Sequence, residues 1–127
     1  LVAIDRHFSG PNLSEIERSL AADTSDFAVK ALKALRRHAP LAMACSLEII
    51  RGLRTATDIR TALSSEYRFT HRAVAQGDFI EGIRAAIIDK DRCPNWAHAA
   101  ISDVSNDDVA AMLAPLGVDE LTWKDMT

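Results

Sequence analysis

The sequence predicts an all-α protein. Alanine occurs 21 times against five glycines and four prolines. Apolar residues recur at helical spacing, and no β-branched run alternates as a strand would. At 127 residues, 48% of them hydrophobic and 26% charged, the chain has the composition of a folded protein rather than a disordered one. A chain this long buries about two thirds of the surface its unfolded form exposes, so residues 1–127 read as one helical unit.

Six helices are expected. Ser14 and Glu17 read as an S-x-x-E capping box, opening the first near Asn12 or Ser14, with Leu13, Ile16 and Leu20 as its stripe. Asp23-Thr24-Ser25 breaks that run and caps the second. This helix carries Phe27, Ala31, Leu32 and Leu35 and ends in the basic stretch Lys33 to His38. Cations favour the negative end of a helix, so the cluster needs no polyanion to explain it. Pro40 suits the first turn of the third helix. Leu41 to Cys45 is apolar on nearly all sides and reads as buried. Thr57 or Asp58 caps the fourth and longest helix, which runs to about Gln76. Its stripe is Ile59, Leu63, Tyr67, Thr70 and Val74, with Glu66 at the edge. Gly77 fits the C′ position. Asp78 and Glu81 form a second box, D-x-x-E, at the start of the fifth helix. Phe79, Ile83, Ala86 and Ile87 are that helix's apolar face. Asp89 to Trp96 is a loop. Ser105 opens a last short helix through Val109, Met112, Leu113 and Leu116, ending at Gly117.

Net charge is −3 and the sequence pI about 5.8, so the overall basic footprint of a nucleic-acid binder is missing and no such partner is expected. No apolar run reaches the roughly 18 residues of a membrane span, and no signal-peptide pattern opens the chain. Two cysteines, Cys45 and Cys93, suit a reducing compartment: the cytoplasm or, in a eukaryote, the mitochondrial matrix. The chain opens at Leu1 without an initiator Met, and reads as cut from something longer.

Chemistry is sparse. His7, His38, His71 and His98 make no i,i+3 or i,i+4 pair, and the cysteines make no C-x-x-C. No metal site is expected. Gly-rich phosphate loops and nucleophile elbows are missing, so no cofactor is expected. Asp78 with Glu81 has the look of an acid/base pair, but capping accounts for the spacing better. Glu66 and Arg84 each sit beside apolar residues, and a sharp turn at Gly77 brings them together as a structural ion pair. With capping and pairing assigned, no catalytic residue is expected among Glu66, Asp78 and Glu81. Trp96, after Pro94 in a polar loop, reads as an anchor pinning that loop to the body.

One stretch says more. Asp78-Phe79-Ile80-Glu81-Gly82-Ile83-Arg84-Ala85-Ala86-Ile87-Ile88-Asp89-Lys90-Asp91, then Pro94-Asn95-Trp96, resembles the carboxy-terminal signature D-F-x-E-G-V-R-A-x-L-I-D-K-D-x-x-P-x-W of the 3-hydroxyisobutyryl-CoA hydrolases, members of the enoyl-CoA hydratase/isomerase (crotonase) superfamily. Upstream, Ile4-Asp5-Arg6-His7-Phe8-Ser9 resembles the family's I-D-x-x-F and Glu66-Tyr67-Arg68 its E-Y-R. Ala39-Pro40-Leu41-Ala42 departs from S-P-x-S-L in lacking the first serine.

The resemblance implies the carboxy-terminal helical part of a crotonase-superfamily enzyme, without the β/α spiral core that holds the catalytic carboxylates and oxyanion hole. It implies hydrolysis of an acyl-CoA thioester in valine breakdown, CoA arriving as part of the substrate, and a packing and lid role for these helices. Its implied partners are the amino-terminal core of the same protein, the acyl-CoA and further copies of the enzyme. By the same likeness Lys90 falls near a basic position that meets CoA phosphates in related hydratases. The apolar turn of the third helix, and large residues on more than one face of the fourth and fifth, suggest an apolar patch left for the core. Two other readings compete: a parent hydratase or isomerase of different specificity, and a stand-alone helical interaction module without activity.

Overall fold

The computed structural model describes residues 1–124. They are helical throughout, with seven α-helices and no strand among them. The helices are α1 (Val2–Phe8), α2 (Leu13–Ala21), α3 (Asp26–Arg37), α4 (Pro40–Gly52), α5 (Ile59–Gln76), α6 (Phe79–Ile83) and α7 (Asn106–Leu113). A π-turn, Arg84–Ile88, continues α6.

α1 is the element the spacing did not announce. Leu1 offers no side-chain cap to it, and it is held from outside: Phe8 packs on the cluster formed by Ile16, Leu20 and Ala28. α2 begins earlier than a Ser14 cap allows. Asn12 caps it, its Oδ1 accepting from the Glu15 N–H at 2.9 Å. Glu17 is thereby freed from any box and accepts from Arg36 Nε at 2.9 Å.

Ser25 caps α3, Pro40 opens α4 at its first position, and Asp58 caps α5 by accepting from the Arg60 N–H at 2.9 Å. Each is a local signal that tertiary packing left alone. α4 joins the two clusters of the core. Its Leu47 packs on Ile16, Leu20 and Ala28, while its Leu41 and Cys45 meet Met112 of α7. Cys45 is fully buried and Cys93 is exposed. Burial first, and Glu48 second, push the Cys45 thiol up to about 11.

Two expected faces and one helix end are corrected. On α5 the inward residues are Ala73 and Phe69, which had seemed flanking, while Ile59, Leu63 and Val74 are exposed. The α6 face of Phe79 and Ile87 is also exposed, and Ala85 is buried instead. α7 ends at Leu113 rather than at Gly117. Pro115 bars its predecessor from helical backbone, and Ala114 is accordingly extended at φ −62°, ψ 150°. Arg72 seals that end, donating to the carbonyls of Met112 at 3.0 Å, Ala114 at 2.5 Å and Pro115 at 3.2 Å.

Gly77 is extended, at φ −117°, ψ −167°, so it is not the left-handed cap expected. Its size is what matters. A Cβ there would stand 3.0 Å from the Ala73 carbonyl oxygen and 3.1 Å from Ala73 Cα, so only glycine lets α6 leave α5 this sharply.

Candidate functional site

The family-like motif folds around one guanidinium. Glu81 and Arg84 lie three residues apart on α6 and its π-turn, where side chains are neighbours. Arg84 Nε donates to Glu81 Oε2 at 2.8 Å and its NH2 group to Oε1 at 2.6 Å. The other arm of the fork, NH1, donates to Asp89 Oδ2 at 2.8 Å and Asp91 Oδ2 at 2.7 Å. NH2 also reaches the Cys93 carbonyl at 3.2 Å.

The carboxylates then hold the loop's own backbone. Glu81 Oε1 accepts from the Asn95 N–H at 2.7 Å, Asp91 Oδ1 from Cys93 N–H at 2.9 Å, and Asp78 Oδ1 from Ala97 N–H at 2.8 Å. The π-turn closes with the Asp89 N–H on the Arg84 carbonyl at 2.8 Å, and the Arg92 N–H reaches the Ala85 carbonyl at 3.0 Å. Residues 89–97 are thus tied at several points to one short helix.

Arg84, and then the Asn95 N–H, hold the Glu81 carboxyl down at about 2. Asp91 is lowered by Arg84 first and Cys93 N–H second. Arg84 is raised by Glu81, Asp91 and Asp89 in that order. All of these groups stay charged at neutral pH.

This geometry revises the expected roles. Arg84 does not pair with Glu66. Glu66 is exposed on α5, and Glu81 meets Arg84 from within the same short segment. Asp78 and Glu81 do not form a capping box either: no side-chain cap bond is made at Asp78, because both carboxylates are taken up by loop N–H groups. Asp78 Oδ2 is buried with no partner. Asp89 and Asp91, on either side of Lys90 in the loop, are both ligands of Arg84.

Trp96 Nε1 donates to the Arg37 carbonyl at 3.2 Å, and the Trp96 ring lies 3.6 Å from where a Gly82 Cβ would be. Lys90 is exposed and, like Arg92, has left-handed backbone, at φ 55° and 57°. Two cations are therefore displayed on a loop whose ends are fixed. Among the described residues no three His, Cys, Asp or Glu side chains converge as a metal requires.

A second polar cluster went unread. His7 is 2% exposed. Its Nδ1 bonds Ser19 Oγ and its Nε2 bonds Asp23 Oδ2, both at 2.8 Å. Asp23 is lowered by the Ser25 N–H first and by His7 second. Nothing in the spacing of His7, Ser19 and Asp23 signals their meeting, since it depends on α1 folding onto α2. Both imidazole nitrogens are occupied, and the cluster ties α1 down.

Comparison with known proteins follows the motif. A family model described as enoyl-CoA hydratase/isomerase matches residues 1–113. The mitochondrial 3-hydroxyisobutyryl-CoA hydrolase of Gallus gallus is 35% identical over 118 residues, which cover 93% of this chain and 30% of that protein. Among solved structures, an enoyl-CoA hydratase from Rhodobacter sphaeroides is 53% identical with a TM-score of 0.92, covering 96% of this chain and 36% of the other. A carnitinyl-CoA dehydratase from Mycobacterium thermoresistibile is 29% identical with a TM-score of 0.86, covering 96% and 34%. The chain spans about a third of the length of the proteins it matches.

Proposed function

This chain belongs to the enoyl-CoA hydratase/isomerase family, and from that membership we propose that it is the carboxy-terminal helical part of an acyl-CoA thioester hydrolase acting on 3-hydroxyisobutyryl-CoA, in valine breakdown. The observation that carries the reading is the likeness to a 3-hydroxyisobutyryl-CoA hydrolase over 93% of the chain, together with a signature whose polar residues lock one another in place.

Thioester hydrolysis needs donors aimed at the developing oxyanion and a carboxylate free to move a proton. Glu81, Asp89 and Asp91 are committed to Arg84, so the reacting groups are assigned to the amino-terminal core of the same protein. The helices supply a packing surface and a lid. Lys90 extends from the fixed loop toward the phosphates of CoA, which enters as part of the substrate; no further cofactor is required. The compartment is the cytoplasm or, in a eukaryote, the mitochondrial matrix; the Gallus gallus relative is named as a mitochondrial protein.

A second reading rests on the 53% identity to an enoyl-CoA hydratase: the parent enzyme adds water to an enoyl-CoA instead. A free-thiol assay with 3-hydroxyisobutyryl-CoA, on this chain alone and mixed with the amino-terminal core, tests the first. Silence alone and thiol release on mixing are expected. Release by the chain alone would overturn the assignment of the reacting groups to the core. Gain of enoyl absorbance without thiol release on the mixed sample, as the hydroxyacyl-CoA gives up water to form the enoyl-CoA, would select the hydratase.

A further inference from the structure

Ser19, His7 and Asp23 are joined in the order of a nucleophilic relay. Other hydroxyls within these helices fold back on their own backbone: Ser46, Ser65 and Thr70 each donate to the carbonyl four residues earlier. Ser19 turns across to α1 and meets His7 Nδ1 at 2.8 Å. On the far side of the ring, Nε2 meets Asp23 Oδ2, also at 2.8 Å.

The place of the proton follows from the carboxylate. The Ser25 N–H, 2.8 Å from Asp23 Oδ1, and then His7 hold Asp23 ionised. An ionised carboxylate only accepts, so in the neutral ring Nε2 carries the proton. Nδ1 is then a bare lone pair, and the Ser19 hydroxyl donates to it. That is the protonation state of a serine poised beside its base.

The surroundings suit the task. The ring is sealed: His7 is 2% exposed, and Phe27 stacks on it with centroids 6.4 Å apart and planes at 23°. Ser19 is only half-buried. With Asp23 and Thr24 it lines an open cleft of about 370 Å³, within the size range of small-molecule sites. Arg6 lines the same cleft and forms no ion pair among the described residues. Its guanidinium is free to meet a carbonyl oxygen that takes up negative charge.

We propose that Ser19 is a nucleophile, with His7 as its base and Asp23 as the positioning residue, and that the cleft takes short acyl esters. Ser19 Oγ attacks the acyl carbon as its proton passes to His7 Nδ1. The tetrahedral adduct then collapses, the ester C–O bond breaks, and the imidazolium returns the proton to the leaving oxygen. Water, giving a proton to His7, attacks the acyl-serine, and the acid and Ser19 are released. This site is separate from the reacting groups assigned to the amino-terminal core and does not depend on that assignment.

Two electrophiles test it on the 127-residue chain: p-nitrophenyl acetate and a fluorophosphonate. Both are expected to label Ser19, located by mass spectrometry of its peptide, the first with release of p-nitrophenol. Ser19→Ala, well tolerated inside a helix, is expected to lose the label and to slow release about tenfold or more. Asp23→Asn keeps an acceptor for the Ser25 N–H but no longer dictates the tautomer. It is expected to slow labelling about a hundredfold. Nitrogen NMR of the His7 ring is expected to place the proton on Nε2 in the parent and on both nitrogens in turn in Asp23→Asn. A cluster that only tied α1 down would give a folded chain with no label on Ser19, and that result would overturn the nucleophile. Labelling at the parent rate in Asp23→Asn, or a parent ring protonated on Nδ1 alone, would overturn the relay. Running the free-thiol assay on Ser19→Ala keeps this site apart from the chemistry of the core.

Discussion

Glu81 grips Arg84 with both carboxylate oxygens, at 2.6 and 2.8 Å, across one turn of helix. A fork-to-fork pair of this kind depends on the planar guanidinium, and lysine does not reproduce it. Arg84→Lys keeps the charge and loses the simultaneous hold on Glu81, Asp89 and Asp91. Amides of residues 89–97 are expected to exchange faster in this variant while those of α2 and α3 keep their parent rates. An unchanged loop would mean that Trp96 and the backbone hold it without the fork.

The cluster has a pH signature. Glu81 sits at about 2 in the folded chain against an ordinary 4.5. A carboxyl lowered by folding adds stability above its unfolded value and gives it up as pH falls through the folded one. The contribution is whole above pH 4.5 and drains away from there to about pH 2. Asp91 moves in the same direction. The urea midpoint is expected to fall across that window, and Glu81→Gln to flatten part of the fall. The slope that remains belongs to Asp91, Asp23, Asp108 and Glu120, each also lowered by its own hydrogen bonds.

Leu20 is fully buried against Ile16 and Ala28. Leu20→Ala removes methyl groups and leaves a void where α1, α2 and α3 meet, at a cost of about 2–5 kcal/mol. Ile50→Ala, at a site 68% exposed, is expected to stay within about 0.5 kcal/mol of the parent. Urea unfolding of both variants measures the contrast, and a small loss at Leu20 would mean that the first cluster collapses to fill the gap.

Lys90 allows charge and backbone to be separated. At φ 55° a Cβ costs about 1–2 kcal/mol whatever the rest of the side chain. Lys90→Ala therefore keeps the strain and deletes the cation, while Lys90→Gly relieves the strain as well. If Lys90 meets CoA phosphates, both variants of the intact enzyme raise KM several-fold at unchanged kcat. Lys90→Gly alone raises the thermal midpoint. Parent-like KM in both would return Lys90 to the solvent.

How legible was this in the residues? Caps were readable wherever one donor set had one taker: Ser25, Pro40, Asp58 and Ser105 stand where helix starts require them. Reading failed where two takers competed. Glu81 at N3 of a D-x-x-E box and Glu81 beside Arg84 are the same residue, and only the folded loop, bringing the Asn95 N–H to 2.7 Å, decides between them. Glu66 looked like the partner of Arg84 because both flank apolar stripes, but the α5 stripe itself lies outward. α1 could not be read at all, since its support comes from α2 and α3 rather than from its own ends. The motif's identity was legible from order and spacing. Its internal wiring was not, and the π-turn that arranges it has no periodicity to betray it.

Cys45 and Cys93 bracket the molecule's behaviour. One thiol is sealed at the junction of α4 and α7 and held protonated, at about 11; the other stands open in the loop. An alkylating reagent at neutral pH will find Cys93 at once and Cys45 only when the helices part. The ratio of singly to doubly labelled chains is therefore a native clock for opening of the core, readable by mass alone and needing no engineered probe.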